Sequence, residues 1–241
     1  MAARQEVRLV QGKPLRVCMR RSVRARRLTV HVGPRQGVEV VMPRWATYAD
    51  VEVLLADHEG WLAQQADVHG VWNGPRRKIW SSGDVLPLLG EDLVLELAPL
   101  PEGRRRARVQ KSAGVLRMEL PIEELLDPRP ALIRWLRGFA GRELRRRTES
   151  WADITGLRPT KVIVGERTSR WGSCSSRGTV SLCYRLVMAP PAVVDAVVVH
   201  ELCHLQEHNH GPRFHALVRR FYPEHDEKMD WLRQSGQSLE I

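Results

Sequence analysis

The chain has 241 residues, 43% of them hydrophobic and 27% charged, which supplies enough apolar material for one or two globular domains and excludes wholesale disorder. Thirty-eight Lys and Arg against 28 Asp and Glu leave a formal charge of +10, a balance that attracts polyanions without naming one. No stretch reads as a membrane span or a signal-peptide core, so a cytoplasmic protein with no membrane partner is expected.

Residues 28–43 alternate β-branched and polar positions around Gly33-Pro34-Arg35-Gln36-Gly37 and predict a β-hairpin. Thr47 followed by Asp50 resembles a capping box, and Val51, Leu54, Leu55, His58 and Leu62 recur at helical spacing, predicting one amphipathic helix over residues 49–65. Beyond Asn73, Gly74 and Pro75, short apolar runs at 85–89, 93–97 and 115–120 read as further antiparallel strands. Prolines and acidic residues over 121–130 then mark a domain boundary. The expected fold class is α+β, with a β-rich domain over 1–125 and a smaller helical domain with a short sheet over 126–241. In the latter, Leu132, Leu136, Phe139, Ala140 and Leu144 mark a helix face that ends near Thr155-Gly156. Residues 162–164 and 180–182 read as strands flanking Arg170-Trp171-Gly172-Ser173-Cys174, a small polar segment read as an exposed loop. Cys18, Cys174, Cys183 and Cys203 form no CxxC pair and fit reduced thiols.

Pro190 and Pro191 open an almost wholly apolar helix, Ala-Val-Val-Asp-Ala-Val-Val-Val, into whose second half His200-Glu201-Leu202-Cys203-His204 is set. In this HExxH spacing the two imidazoles stand one above the other on one face, with Glu201 beside the open coordination position of a zinc ion. Burying a carboxylate and two imidazoles in so hydrophobic a helix is costly without a partner, and metal ligation removes that cost. Three protein ligands and a water complete a catalytic zinc. His210, reached after a polar turn in which Asn209 tolerates a left-handed backbone, fits the third position best. His208, His215 and His225 compete for it. Met229 reads as packing material rather than a metzincin Met-turn.

Three stretches then carry a resemblance: Arg170-Trp171-Gly172-Ser173-Cys174-Ser175, residues 186–190, and residues 197–205 with Asn209-His210-Gly211 and Phe214. Together they resemble the YgjP-like zinc metallopeptidases, small relatives of the SprT-like proteases. The basic segment before Leu28 and residues 82–90 resemble that family's β-rich amino-terminal part. The resemblance implies a zincin-type intracellular Zn²⁺ hydrolase with His200, His204 and His210 as metal ligands and Glu201 as general base. Two departures stand out, Cys183 where the family has Asn and Gly211 where Ser is usual.

The expected reaction is hydrolysis of a peptide or protein substrate by a metal-activated water, with Glu201 moving the proton. Tyr184, Arg185 and Arg170 are the donors available to an oxyanion, and Trp171, Ser173 and Tyr184 are expected to line a substrate groove. The alternative is a basic, nucleic-acid-associated zinc protein with little or no proteolytic turnover. Arg16, Arg20, Arg21, Arg24, Arg26 and Arg27 form one basic cluster, and Arg104, Arg105, Arg106, Arg108 and Lys111 a second. No zinc-finger or RNA-recognition signature accompanies them. A zinc-bound scaffold without turnover is disfavoured, because a structural site has no use for Glu201.

Overall fold

The computed structural model describes residues 4–33, 36–74, 78–104, 106–167, 170–239 and 241. Pro34, Arg35, Pro75 and Arg105 of the expected turn, linker and second basic cluster lie outside them. The chain divides into two compact units, Met1–Lys78 and Ile79–Ile241.

The first unit holds β1 (Arg4–Val10), β2 (Lys13–Arg21), β3 (Thr29–Gly33) and β4 (Gly37–Met42) in the order β1-β2-β4-β3. The expected hairpin is β3–β4, antiparallel with Val30 opposite Val40, whereas β2 and β4 run parallel. Alternation places Leu15, Val17 and Met19 of β2 on the buried face with Val38, Val40 and Met42. The Thr47 and Asp50 capping box is present, but the single expected helix is two, α1 (Tyr48–Asp57) and α2 (Glu59–His69). The break falls at His58, whose ring Nδ1 donates to the Leu54 carbonyl at 3.0 Å. That carbonyl is the acceptor a continuous helix would offer to the backbone N–H of His58. Val51, Leu55, Leu62 and Ala66 still face the core. In the first basic cluster Arg20 is paired with Glu39 at 2.7 Å, and Arg21 donates to the carbonyls of Arg44 and Ala46.

The second unit opens with β5 (Val85–Leu88), β6 (Glu91–Pro99), β7 (Arg108–Ser112) and β8 (Val115–Leu120), ordered β5-β6-β8-β7. The expected antiparallel pairing holds for β5–β6, while β6–β8 is parallel; β7, which no apolar run announces, pairs antiparallel with β8. A short helix α3 (Ile122–Leu125) and the long α4 (Arg129–Thr155) follow, and Gly156 caps α4 in the left-handed region at φ 75°. Strands β9 (Lys161–Gly165), β10 (Gly172–Cys174) and β11 (Thr179–Cys183) form a second sheet in the order β10-β11-β9. A 3₁₀ turn over Tyr184–Met188 leads to α5 (Pro191–Cys203), α6 (Pro212–Phe221) and α7 (His225–Ser235).

The unit boundary therefore falls at 78/79, not at residues 121–130. Leu86, Leu93, Leu95, Leu116 and Met118 of the first of these sheets share one core with Leu132, Leu136 and Leu144 of α4 and Val194, Val197 and Val198 of α5. A sheet with one apolar face must be covered by another layer, and α4 and α5 belong to the core that covers it. The prolines at 121–130 mark only the turn into α4. Among the described residues no helix is long and apolar enough to cross a membrane.

Candidate metal centre

Helix α5 begins at Pro190 and Pro191, where a missing N–H costs nothing. Val193, Val194, Val197, Val198, Val199 and Leu202 are all buried, so the helix is held on every side. Arg147 of α4 also grips it, donating to Asp195 at 2.7 Å. His200 and His204 thus ride on a fixed rod. His204 caps the helix in the right-handed region, and the Leu205 and Glu207 amides return to the carbonyls of Leu202 and Cys203. The reversal needs no left-handed residue: Asn209 is not among the positive-φ positions, and the Gly211 amide donates to the Asn209 carbonyl at 2.7 Å. Gly211 then caps α6 with Pro212 in its first turn, and His210 is delivered opposite the other two imidazoles.

His210 Nε2 lies 3.1 Å from His200 Nε2 and 3.1 Å from His204 Nε2. Phe214 of α6, fully buried, packs against all three rings at centroid distances of 4.9, 4.4 and 4.8 Å. His204 Nδ1 donates to the Glu207 carbonyl at 3.0 Å, and His200 Nδ1 lies 3.0 Å from His225 Nε2. Burial first, then neighbouring imidazoles, push His200 down to about 3, and burial lowers His204 as well. A neutral His204 that spends its one N–H on a carbonyl presents a bare Nε2 lone pair to the cleft. Three imidazole nitrogens within 4.8 Å of one another, two of them on rings that burial disfavours as cations, fit a metal ion. Among the described residues this is the group of His, Cys, Asp and Glu able to hold one.

Glu201 turns the opposite way from its core-facing neighbours, towards β10. It is 5% exposed, and its Oε2 is buried without a hydrogen-bond partner. Burial raises it to about 7, against the pull of the Arg170 guanidinium. Gly172 makes room for it: a Cβ there would stand 2.4 Å from Glu201 Oε1. The cleft in front of these groups has a volume of about 550 Å³. Arg170, Gly172, Ser173, Cys174 and Ser176 line one side, and His200, Glu201, His204, His208 and His210 line the other.

Some expected site residues are absent from this cleft. The Arg170–Cys174 segment is not simply a loop, because Gly172–Cys174 pairs with β11 as an edge strand. Ser173 and Arg170 line the cleft, but Tyr184 is buried beneath the guanidiniums of Arg137 and Arg185. Trp171 is half-buried against the core. Arg185 is buried and spent on Glu166 at 2.5 Å and the Arg167 carbonyl at 2.6 Å. Cys183 points its thiol at the same carbonyl, away from the cleft lining. Gly211 has open space where a Cβ would stand, so Ser would fit there. Sequence reasoning placed His225 only among rival ligands. It lies behind His200 and contacts Asp226, a position that no local pattern announces.

The family model described as "YgjP-like, metallopeptidase domain" matches residues 26–235. No curated protein matches the chain. Among solved structures, the crystal structure of the metallopeptidase zymogen of Pyrococcus abyssi abylysin is similar at 22% identity and a TM-score of 0.35, over 38% of this chain and 92% of that one.

Proposed function

The chain belongs to the YgjP-like metallopeptidase family, and from that premise we propose that it is a zinc-dependent peptidase of the cytoplasm. The observation that carries the reading is the convergence of three imidazole Nε2 atoms beside an orphaned, buried carboxylate. His200, His204 and His210 would hold the metal. An all-nitrogen set of three donors suits Zn²⁺, and four unpaired cysteines, none in the cluster, suit a reducing compartment. Zinc bound there supplies a Lewis acid that acidifies water and polarises a peptide carbonyl.

The chain's own groups do the rest. Glu201 accepts a proton from the attacking water, because its Oε2 has no competing donor and burial brings its affinity for a proton near neutrality. It returns that proton to the leaving amine. Arg170 is the one of the three expected oxyanion donors that lines the cleft, and Ser173 is left as the substrate contact. Both are assigned to a peptide or protein substrate.

The test pairs the parent chain with Glu201→Gln in an unbiased peptide-library digest read by mass spectrometry, alongside zinc analysis. The parent cleaves, chelation stops it and zinc restores it. Glu201→Gln keeps its zinc and loses about 10²–10⁴-fold in turnover. Full turnover in that variant would remove Glu201 as the base.

A further inference from the structure

We infer that His225 and Asp226 are positioning residues for His200, fixing the tautomer that leaves its Nε2 free for the metal. The inference rests on the zinc reading and adds the device that prepares one of its ligands.

The argument starts at the outer end and runs inward. Asp226 Oδ1 lies 3.0 Å from His225 Nδ1, and its Oδ2 accepts from Arg219 of α6 at 3.0 Å. A carboxylate so placed can only accept, so His225 Nδ1 carries a proton. His225 is 5% exposed, and with Nδ1 turned to Asp226 it presents Nε2 to α5. That Nε2 is 3.0 Å from His200 Nδ1, so a metal held at His200 Nε2 leaves the proton on Nδ1, to be donated along this contact. The nitrogen facing His210 across 3.1 Å is the one this arrangement turns to the metal.

The relay ends at the atom a metal needs. Its three residues stand on α7 and α5, with Arg219 of α6 steadying the outer end, so the ring is fixed in rotation as well as in protonation. His204 obtains the same preparation more simply, from the Glu207 carbonyl. A histidine kept only for packing would not need Asp226, whose side chain is largely exposed and fills no core. A carboxylate behind the imidazole also raises the basicity of the inner ring.

The experiment measures zinc affinity of the full-length protein by competition with a chromophoric chelator, together with the visible spectrum of the cobalt-substituted form. His225→Phe keeps the ring volume and removes the acceptor; it should bind zinc about 10–100-fold more weakly and shift the cobalt bands. His225→Gln offers a side-chain carbonyl to His200 Nδ1 and should recover most of that loss. Asp226→Ala, at an exposed position that folding tolerates, frees His225 to exchange tautomers and should weaken zinc several-fold. Parent-like affinity in both His225→Phe and Asp226→Ala would overturn the positioning role and leave the metal centre standing. Equal loss in the Phe and Gln variants would reduce His225 to packing. A parent chain that takes up no zinc would overturn the metal reading itself, and this inference with it.

Discussion

His200 and Glu201 are adjacent in the chain, and burial drives their protonation in opposite senses. In the metal-free protein His200 stays neutral down to about 3, whereas an unfolded imidazole takes up a proton below ~6.5. The stability this contributes is complete above the unfolded value and is lost as pH falls from there towards 3. Glu201 holds its proton up to about 7, while the unfolded carboxyl releases it near ~4.3. That contribution is complete at acid pH and is lost as pH rises through the same interval. Glu201→Gln removes only the second effect. Urea unfolding of chelator-treated protein should show the variant equal to the parent at acid pH and more stable above neutrality, by roughly 3–4 kcal/mol. An advantage that does not change with pH would contradict the burial of an unpartnered carboxyl.

Helix α5 was the most legible element, because prolines at its start, apolar residues on every side and two imidazoles one turn apart allow few other readings. His210 was legible from spacing alone, and the structure brings it to the other two rings. Pairing partners were not legible. Alternation says that 115–120 is a strand but not that it lies parallel to β6, since the crossover that sets direction is non-local. The three-residue β10 is too short to show a period, and the break at His58 turns on one side-chain hydrogen bond. Trp171 and Tyr184 lie outside the cleft lining, a placement hidden for a related reason: an aromatic ring beside a polar segment serves a core or a groove equally well in sequence. At the level of elements, Phe214 joins α6 to α5 through Val199, Cys203 and Val218 and underlies all three imidazoles. Phe214→Ala should therefore cost about 3–5 kcal/mol in the metal-free chain, measured by urea unfolding. A loss under about 1 kcal/mol would mean that α6 docks by other contacts.

At the scale of the molecule, the chemistry is concentrated in the second unit, where every residue from Arg170 to Asp226 named for the site resides. The excess of positive charge is spread more widely and is partly matched locally, by Arg20 with Glu39 and Lys111 with Glu91. Net charge governs attraction at a distance and does not by itself specify a partner. The feature that carries the proposed function is the convergence of three imidazole nitrogens, a group that could hold a metal ion. The most direct test is zinc K-edge X-ray absorption on the purified full-length protein and on His210→Ala. The parent should hold one zinc per chain with nitrogen and oxygen neighbours at about 2.0–2.1 Å and the outer-shell scattering of three imidazoles. His210→Ala should lose most of its zinc and show two imidazoles in what remains. A parent without stoichiometric zinc, or one whose metal shows a sulfur shell near about 2.3 Å, would contradict the account.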